Sequence, residues 1–485
     1  MTIPASQAEV AAFLQTQSGR PPLETHISAV FLGAETVWKL RKSVRLPFLD
    51  YTDVAERRRM AERELALNAP YAPGLYRGVI PVTRDADGLH LGGEGPVLDW
   101  VVAMARVPAD RFLDTLADHG ALTPTLLDQI ADSVAAQHAS LAPVQRDLPA
   151  SMRTVIDGNR VAALTAGLDP ATVETWHGQA TARIARTEAW LTARAGSGFV
   201  RRAHGDLHLG NMCLWQGKPV PFDALEFDED LATIDLGYDL AFLLMDLLLR
   251  CGRPAANRVL NRYVARTGDA ALLAGLPLYL SSRALIRAHV LARTGQNAAR
   301  YLQAAMDFLN PAPPRALAVG GLPGTGKSTF ARALAPELGP APGALILRSD
   351  EIRKRRSGVA PEHPLPESAY TSQASEAVMQ TLLRDHATAL AAGHAAIADA
   401  TFLAEADRTR IAAASTQVPF TGIWLEAPMA TLASRIAART GDASDADLTI
   451  LARAAAKDPG PITWHRLDAT DPQALARFIE TVTHP

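Results

Sequence analysis

Residues 321–328 read GLPGTGKS and fit the pattern G-x-x-x-x-G-K-[S/T] without a gap. An apolar run at 316–319 precedes the pattern, and a segment with helical spacing at 328–334 follows it. The pattern indicates a phosphate-binding loop only in such a strand–loop–helix context. Glycines let the backbone curl so that successive N–H groups point inward, and the start of the helix adds its positive end. The sequence therefore predicts a nucleotide site at these residues, which we call the phosphate loop.

Two side chains of the phosphate loop have distinct predicted roles. We expect Lys327 to reach the β- and γ-phosphates of ATP and to act in the transfer, and the hydroxyl of Ser328 to hold Mg²⁺. Arginine supplies most of the basic residues of this chain, and an ammonium and a guanidinium are not interchangeable against a nucleotide phosphate. A lysine here is therefore informative. The predicted nucleotide-binding residues are Gly321, Gly324, Thr325, Gly326, Lys327, Ser328 and Thr329.

Length and composition limit the class of the protein. At 485 residues the chain is too long for one hydrophobic core, so two or three domains are expected. The net charge of −3 shows no basic excess, so nucleic-acid binding is not expected, although a local basic patch is left open. The two cysteines suit a reducing compartment and lack metal-site spacing. No cationic start precedes an apolar core, so we expect a cytoplasmic protein without a secretion leader.

The most apolar stretch, residues 234–249, carries Asp235, Asp239 and Asp246 and is too short to span a bilayer. It predicts a buried helix, with the first two of these aspartates capping and anchoring its start. No membrane partner is expected.

The N-terminal part predicts a sheet-rich lobe followed by a helical lobe. The predicted elements are strands at 25–32, 36–41, 78–83 and 96–104, a charged helix at 53–68, and a helix from the Thr123–Pro124 cap to about Leu141. The turn at 33–35 joins the first two strands into a hairpin, with Lys39 in its second strand. This order is the outline of a protein-kinase-like fold.

Residues 204–211 read HGDLHLGN and match the catalytic-loop pattern H-x-D-x-x-x-x-N. We expect Asp206 to orient and deprotonate the hydroxyl of an acceptor. Asn211 and, after a β-rich run, Asp223 are predicted to hold the metal ions that bridge the ATP phosphates. Lys39 would bind the α- and β-phosphates and be fixed by a helix glutamate, Glu64 in preference to Glu62, while Lys42 is a rival to Lys39.

This motif resembles the aminoglycoside phosphotransferase family, which also contains choline kinases and other small-molecule kinases. The resemblance covers about residues 25–305, with a small lobe at about 25–105 and a helical lobe at about 109–305. It implies an α+β, protein-kinase-like bilobal fold, ATP- and Mg²⁺-dependent transfer to a hydroxyl of a small molecule, and an acceptor pocket in the helical lobe. Two departures are the absence of a G-x-G-x-x-G loop at 33–35 and the residues Ala224-Leu225 after Asp223.

Several nearby residues leave two roles open. The acidic group Glu226, Asp228, Glu229 and Asp230 either faces a cationic acceptor or, the favoured interpretation, forms a solvated loop. His204 is expected to brace the catalytic loop, and His208 either packs in that loop or contacts the acceptor.

The C-terminal part predicts an α/β fold. The proline-rich residues 311–314 are a predicted linker between a domain at 1–310 and a P-loop kinase domain at 315–485. Beyond it, β-rich runs alternate with helical patterns, and this alternation favours a P-loop NTPase fold with a parallel sheet between layers of helices. The predicted strands are 316–320, 344–347, 395–398, 421–425 and 462–467.

Candidate site residues follow the ends of these strands, where such sheets bind ligands. Asp350 is a candidate base for an acceptor hydroxyl, Arg353 would bind an anionic group of the substrate, and Asp399 would hold Mg²⁺ through water. Arg435 and Arg439 share one helix face and would neutralise the transferring phosphoryl group as part of a closing lid. The lid runs from Thr440 to Asp447, where Ser444 and Asp447 can cap a helix, and residues 361–369 would form part of the acceptor pocket or lid.

This half resembles the small P-loop kinases grouped with gluconate kinases, zeta toxins and polynucleotide kinases, and the whole chain resembles bacterial two-domain kinases. We therefore expect a multidomain, bifunctional ATP- and Mg²⁺-dependent phosphotransferase with two nucleotide sites and small-molecule acceptors. In one alternative, one domain is a nucleotide sensor that controls the other. In another, the P-loop domain phosphorylates a polynucleotide end, although the near-neutral charge counts against this. Neither the acceptor nor the oligomeric state leaves a pattern in the sequence.

Overall fold

The computed structural model describes residues 2–46, 49–439 and 441–483, so Thr440 of the predicted lid lies outside the described residues. The chain forms two compact units, one of Met1–Arg146 with Ala195–Leu243 and one of Asp147–Arg194 with Leu244–Pro485. The predicted linker at 311–314 lies within the second unit, and a domain boundary at that linker stays a prediction.

The strands, in chain order, are β1 (Leu23–Glu24), β2 (Ser28–Leu32), β3 (Thr36–Arg41), β4 (Arg45–Leu46), β5 (Leu49–Asp50), β6 (Tyr76–Asp85), β7 (Gly88–Leu91), β8 (Val97–Ala105), β9 (Val200–Arg202), β10 (Met212–Trp215), β11 (Lys218–Pro221), β12 (Thr233–Asp235), β13 (Ala316–Gly320), β14 (Leu345–Arg348), β15 (Ala396–Asp399), β16 (Phe420–Glu426) and β17 (His465–Asp468).

The α-helices, in chain order, are α1 (Ala8–Ser18), α2 (Val54–Asn68), α3 (Leu113–Asp118), α4 (Pro124–Ser140), α5 (Leu148–Thr165), α6 (Pro170–Gly196), α7 (Glu229–Ala232), α8 (Leu236–Cys251), α9 (Arg253–Thr267), α10 (Leu276–Arg293), α11 (Ala299–Leu309), α12 (Lys327–Leu334), α13 (Ser349–Arg356), α14 (Ser372–Ala391), α15 (Glu405–Ala413), α16 (Met429–Ala437), α17 (Leu448–Ala455) and α18 (Pro472–Thr483).

The first unit contains a six-stranded antiparallel sheet in the order β1-β2-β3-β8-β6-β7. Helix α1 packs on one face, where Leu14 meets Phe31 and Val101 in a buried cluster. Helix α2 contributes Ala61 to a second cluster with Val102. Because neighbouring residues of a strand point to opposite faces, Val101 and Val102 place α1 and α2 on opposite sides of the sheet. The structure confirms the predicted hairpin (β2 and β3), the charged helix that follows it (α2) and the two later strands (β6 and β8). The short strands β1 and β7 were not predicted.

Helix boundaries in the first unit follow local capping chemistry. The side chain of Asp53 accepts a hydrogen bond from the backbone of Ala55 at the start of α2. Thr123 accepts one from Leu126 at the start of α4, with proline in the first turn, as the sequence predicts. Most of the apolar run at 234–249 is helix α8, which begins at Leu236, whereas Ile234 and Asp235 belong to β12.

The second unit contains a five-stranded parallel sheet in the order β14-β15-β13-β16-β17. Its buried core includes Leu317, Val319, Ile397 and Ile423. The predicted parallel sheet is confirmed, and the last strand begins at His465, three residues later than predicted. Strand β13 lies between β15 and β16, so the phosphate loop after β13 adjoins the end of β15.

Helix α9 closes the edge of this sheet within the second unit. The side-chain amide of Asn261 accepts a hydrogen bond from the N–H of Ile346 (2.6 Å) and donates one to the carbonyl of Ala344 (3.2 Å). Asn257 donates to the same carbonyl at 3.0 Å. These side chains therefore bind backbone groups of Ile346 in β14 and of Ala344 just before it, at the edge of the sheet. None of the helices within the described residues is long and apolar enough to cross a membrane.

Candidate active sites

The backbone of the phosphate loop requires glycine. Gly321, Gly324 and Gly326 have φ angles of 135°, 85° and 90°, a region that other residues rarely adopt. A Cβ atom would also lie 2.4 Å from the carbonyl oxygen of Leu425 at the first position and 2.9 Å from that of Leu432 at the second. Both approaches are too close for any side chain, so the loop keeps this curvature only with glycine.

The side chains of the loop lie at the end of β15. The ammonium of Lys327 donates to the carbonyl oxygens of Gly321 and Leu322, both at 2.9 Å. The hydroxyl of Ser328 donates to Oδ2 of Asp399 at 2.6 Å. The structure thus brings a hydroxyl and a carboxylate together that the sequence places 71 positions apart.

Burial and charge act together on two titratable groups here. Burial lowers the pKa of Lys327, and the carboxylates of Asp399 and Asp350 oppose that effect. Burial raises the pKa of Asp350, and the guanidinium of Arg348 opposes that effect. The raised pKa makes Asp350 a better proton acceptor at neutral pH than an exposed aspartate.

Arg348 is a site residue that the sequence analysis missed. Its side chain is 5% exposed and contacts Glu351 at 2.9 Å, Asp442 at 3.0 Å and Asp399 at 3.5 Å. A charged residue closing an otherwise apolar strand was the available signal. Arg348 therefore joins the end of β14 to the end of β15 and to the predicted lid.

Arg353 contacts the segment that follows α13. It donates to the carbonyl of Ala369 at 2.7 Å and to the hydroxyl of Ser375 at 3.3 Å, and its guanidinium carbon lies 4.6 Å from the centroid of the Tyr370 ring. These contacts hold the end of residues 361–370, which we call the 361–370 segment. The role of residues 361–369 in an acceptor pocket or lid stays a prediction. The role of Arg353 in binding a substrate anion stays a prediction.

The 361–370 segment is hydrogen-bonded to the predicted lid through Asp445. This carboxylate accepts hydrogen bonds from the ammonium of Lys354 (2.5 Å), the backbone of Leu365 (3.1 Å) and the hydroxyl of Tyr370. Lys354 is buried, with a side chain that is 1% exposed. No local pattern in the sequence marks this link, because Asp445 lies far from its three donors along the chain.

The two predicted lid arginines bind backbone carbonyls. Arg435 donates to Thr325 in the phosphate loop at 3.4 Å and to Ala469 at 3.0 Å. Arg439 lies beyond the end of α16, so the prediction that it shares a helix face with Arg435 is wrong, and it donates to Ala446 at 2.6 Å. Apart from Gly321, the structure brings the predicted residues of this half around one cavity of about 810 Å³, whose lining includes Gly324, Thr325, Gly326, Lys327, Ser328, Thr329, Asp350, Arg353, Asp399, Arg435 and Arg439. We call it the P-loop site.

In the first unit, Lys39 lies between two carboxylates. Its ammonium is 3.0 Å from Oε1 of Glu64 and 2.5 Å from Oδ1 of Asp223. Burial alone lowers the pKa of Lys39, but these carboxylates outweigh it, so the pKa is raised above its ordinary value. Glu62 pairs instead with Arg58 at 2.8 Å on the exposed side of α2.

Arg41 is a second residue that the sequence analysis missed. Its guanidinium is 2% exposed and donates to Glu64 at 2.6 Å and to Glu226 at 2.7 Å. Arg41 stands two residues after Lys39 on β3, so both side chains share one face of the strand. Glu64 therefore binds both cations, and Arg41 joins β3 to the segment that carries Asp223.

The side chain of Asn211 fixes Asp206. Its amide donates to the backbone carbonyl and to Oδ2 of Asp206, both at 2.9 Å. Nε2 of His208 lies 3.6 Å from the same carboxylate, and the His208 ring packs edge-on against Phe242. His208 thus packs within the catalytic loop, as one of its two predicted roles requires.

His204 and Asp239 brace the catalytic loop. Nε2 of His204 is 2.9 Å from the carbonyl of Phe222, and burial lowers the pKa of this imidazole. Asp239 accepts hydrogen bonds from the backbone N–H groups of His204 (3.1 Å) and Gly205 (2.9 Å). Asp239 therefore anchors the catalytic loop, while Asp235 accepts from Gly237 at the start of α8.

Asp223 has a φ of 59°, which is uncommon for a residue other than glycine. Its N–H donates to the hydroxyl of Tyr76 at 3.0 Å, and the next N–H, of Ala224, donates to Asn68 at 2.9 Å. Side chains from β6 and α2 therefore hold this backbone, which aims the carboxylate at Lys39.

The acidic group after Asp223 is bonded within the protein. Its contacts are Glu226 with Arg41 (2.7 Å), Asp228 with the N–H of Leu231 (3.0 Å), Glu229 with Arg63 and Arg202, and Asp230 with Arg146 (3.0 Å). These pairs weaken the case for a cationic acceptor at this group. A cavity of about 650 Å³, which we call the kinase-like site, is lined by residues including Val30, Val37, Lys39, Glu64, Met104, Phe112, Asp206, Phe222 and Asp223.

Comparison with known proteins relates both halves to a family. Residues 317–458 match the AAA domain family model, AAA_33. A Mycobacterium tuberculosis protein named Uncharacterized protein Rv2004c is 30% identical over 479 residues, covering 93% of this chain and 92% of that protein. The Mycobacterium bovis protein Mb2027c matches with the same values. This chain belongs to their family.

Solved structures resemble either half. A gluconokinase from Sinorhizobium meliloti 1021 is 21% identical with a TM-score of 0.25, covering 35% of this chain and 97% of that one. A choline kinase from Cryptosporidium parvum is 9% identical with a TM-score of 0.39, covering 62% and 94%. An aminoglycoside phosphotransferase from Alicyclobacillus acidocaldarius is 16% identical with a TM-score of 0.34, covering 60% and 90%. The antiparallel sheet of the first unit and the parallel sheet of the second fit the fold class that the sequence predicts.

Proposed function

We propose that the protein is an ATP- and Mg²⁺-dependent phosphotransferase with two nucleotide sites, each transferring the γ-phosphoryl group to a hydroxyl of a small-molecule acceptor. One observation carries the proposal. Each of two cavities is lined by a lysine suited to phosphate, a carboxylate placed as a base, and a further carboxylate suited to Mg²⁺. Asn211 does not line the second cavity and bonds instead to Asp206, which does.

The donor atoms at both sites fit a nucleotide-bound Mg²⁺. Within the described residues, no group of three or more His, Cys, Asp or Glu side chains could hold a metal ion by itself. Mg²⁺ usually takes one or two protein ligands together with substrate phosphates and water. Ser328 with Asp399, and Asn211 with Asp223, are sets of this size. When bound, Mg²⁺·ATP supplies the phosphoryl group, with its charge partly neutralised by the metal.

In the kinase-like site, the residues position the acceptor and the triphosphate. Asp206 accepts the proton of the acceptor hydroxyl at its carboxylate, and Asn211 keeps that carboxylate oriented through its 2.9 Å hydrogen bond. Lys39 binds the α- and β-phosphates, and Glu64 fixes its ammonium.

In the P-loop site, the backbone carries more of the binding. The N–H groups of the phosphate loop surround the phosphates, and Lys327 binds the β- and γ-phosphates. Asp350 takes the proton from the hydroxyl of the acceptor molecule, helped by its raised pKa. Arg435 and Arg439 neutralise charge on the transferring group, and Arg353 orients the acceptor.

Mass spectrometry of a metabolite extract incubated with ATP and Mg²⁺ tests this proposal, with the Asp206→Asn and Lys327→Ala variants run beside the parent chain. We expect each variant to lose a different phosphorylated product. If one variant loses turnover while the other changes only its regulation, a catalytic domain controlled by a nucleotide sensor replaces the proposal. Phosphorylation of an added oligonucleotide that Lys327→Ala abolishes would instead favour a polynucleotide kinase.

A further inference from the structure

Lys42 binds a turn that borders the kinase-like site. It follows β3 directly, and its side chain is 0% exposed. Its ammonium donates to the carbonyl of Thr25 at 2.7 Å and is 2.7 Å from Oε2 of Glu24. Its backbone N–H donates to the carbonyl of Ile27 at 2.8 Å. Three contacts from one residue therefore hold the turn between β1 and β2.

This turn lies on the wall of the kinase-like site. Thr25, Ile27 and Ser28 line the same cavity as Lys39 and Asp223. A buried ammonium is costly unless it is paired, so the contacts of Lys42 are an integral part of this wall. Because Lys42 binds the wall while Lys39 binds the carboxylates of the site, the two lysines have different tasks.

The turn also lacks the flexibility of a glycine-rich loop. Residues 25–27 read Thr-His-Ile, and the hydroxyl of Thr25 accepts a hydrogen bond from the N–H of Ser28 at 3.0 Å. Since this turn has no glycine to make its backbone flexible, its shape is held by its own Thr25–Ser28 bond and by the bonds from Lys42.

We propose that Lys42 is a positioning residue that holds the β1–β2 turn beside the triphosphate in the kinase-like site. The inference rests on the proposed function, since it requires a nucleotide in this cavity. Lys42 acts through the turn and makes no contact with the phosphates. Its loss should therefore weaken binding of the triphosphate and leave binding of the nucleoside part unchanged.

Calorimetry tests this in the Lys327→Ala background, which removes binding at the P-loop site. The titrants are a non-hydrolysable ATP analogue with Mg²⁺ and, separately, adenosine. For Lys42→Met we expect the affinity for the analogue to fall about tenfold, as for loss of one charge-assisted hydrogen bond, and the affinity for adenosine to stay within about twofold. Arg45→Met, which removes an exposed cation next to the same strand, should change neither.

Glu24→Gln provides a milder variant, because the bond from Lys42 to Thr25 remains and the Glu24 side chain is 36% exposed. This variant should lower the affinity for the ATP analogue by about two- to fourfold. If the affinities for the analogue and for adenosine fall equally, or if neither variant loses affinity for the analogue, the inference about Lys42 is wrong while the proposed function still stands. If the Lys327→Ala parent itself does not bind the analogue, the proposed function of this site fails and the inference fails with it.

Discussion

The two candidate sites are built in different ways. The P-loop site relies on a backbone that curves because of its glycines, and Gly321 and Gly324 admit no Cβ atom. The kinase-like site relies on charged side chains brought from a strand, a helix and a distant loop, as in the cluster of Lys39, Glu64 and Asp223. A backbone site is therefore written in one continuous stretch of sequence, whereas a side-chain site depends on the tertiary fold.

The largest expected effect distinguishes Lys327 of the P-loop site from Lys39 of the kinase-like site. Lys327→Ala should lower formation of the P-loop product by roughly a thousandfold, since it removes the positive charge that neutralises the transferring phosphoryl group. The kinase-like product should stay within about twofold. Quantitative mass spectrometry of both products measures this, and Lys39→Met should give the reciprocal pattern. Loss of both products in either variant would show that the sites are not independent.

A second prediction concerns the buried ion pairs that Arg41 makes beside the kinase-like site. Arg41→Met removes the cation between Glu64 and Glu226, which leaves the buried Glu226 without this cation and Glu64 with Lys39 alone, so we expect a loss of about 3–5 kcal/mol in the free energy of unfolding. Chemical denaturation measures it. Arg58→Met, on the exposed side of α2, should cost about 0–1 kcal/mol. A similar small cost for both variants would refute the structural role of Arg41.

The glycine backbone gives a third prediction. Gly324→Ala should cost about 1–3 kcal/mol of stability and abolish analogue binding at the P-loop site, because the added methyl meets a carbonyl at 2.9 Å in a backbone with a φ of 85°. Gly393→Ala is the matched control, since its φ is 73° but its surroundings are open. It should cost about 1–2 kcal/mol and leave binding intact. Intact binding in Gly324→Ala would contradict a backbone-built site.

The smallest expected effect is a shift in pH dependence. Burial raises the pKa of Asp350, so its base form is lost at a higher pH than for an exposed aspartate. The kcat/KM for the P-loop product should therefore fall, as pH is lowered, at a pH above the usual aspartate range. Asp350→Glu should keep such an acid limb, and Asp350→Asn should lose most activity. An acid limb near pH 4 would mean that a different group is the base.

The same contrast explains what the sequence could predict. The phosphate loop was predicted as a whole because its lysine, hydroxyl and glycines are contiguous. The catalytic loop from His204 to Asn211 was recognised for the same reason. Arg41 and Arg348 were missed because a single arginine in a strand looks like a surface residue until the fold supplies its carboxylates. Asp445 was missed because its three donors come from elsewhere along the chain.

Stoichiometry tests the central claim most directly. Calorimetry of the full chain with a non-hydrolysable ATP analogue and Mg²⁺ should show two binding sites per chain, and Lys39→Met and Lys327→Ala should each leave one. A well-folded chain that binds no analogue, or one whose single binding event survives both substitutions, would contradict the account.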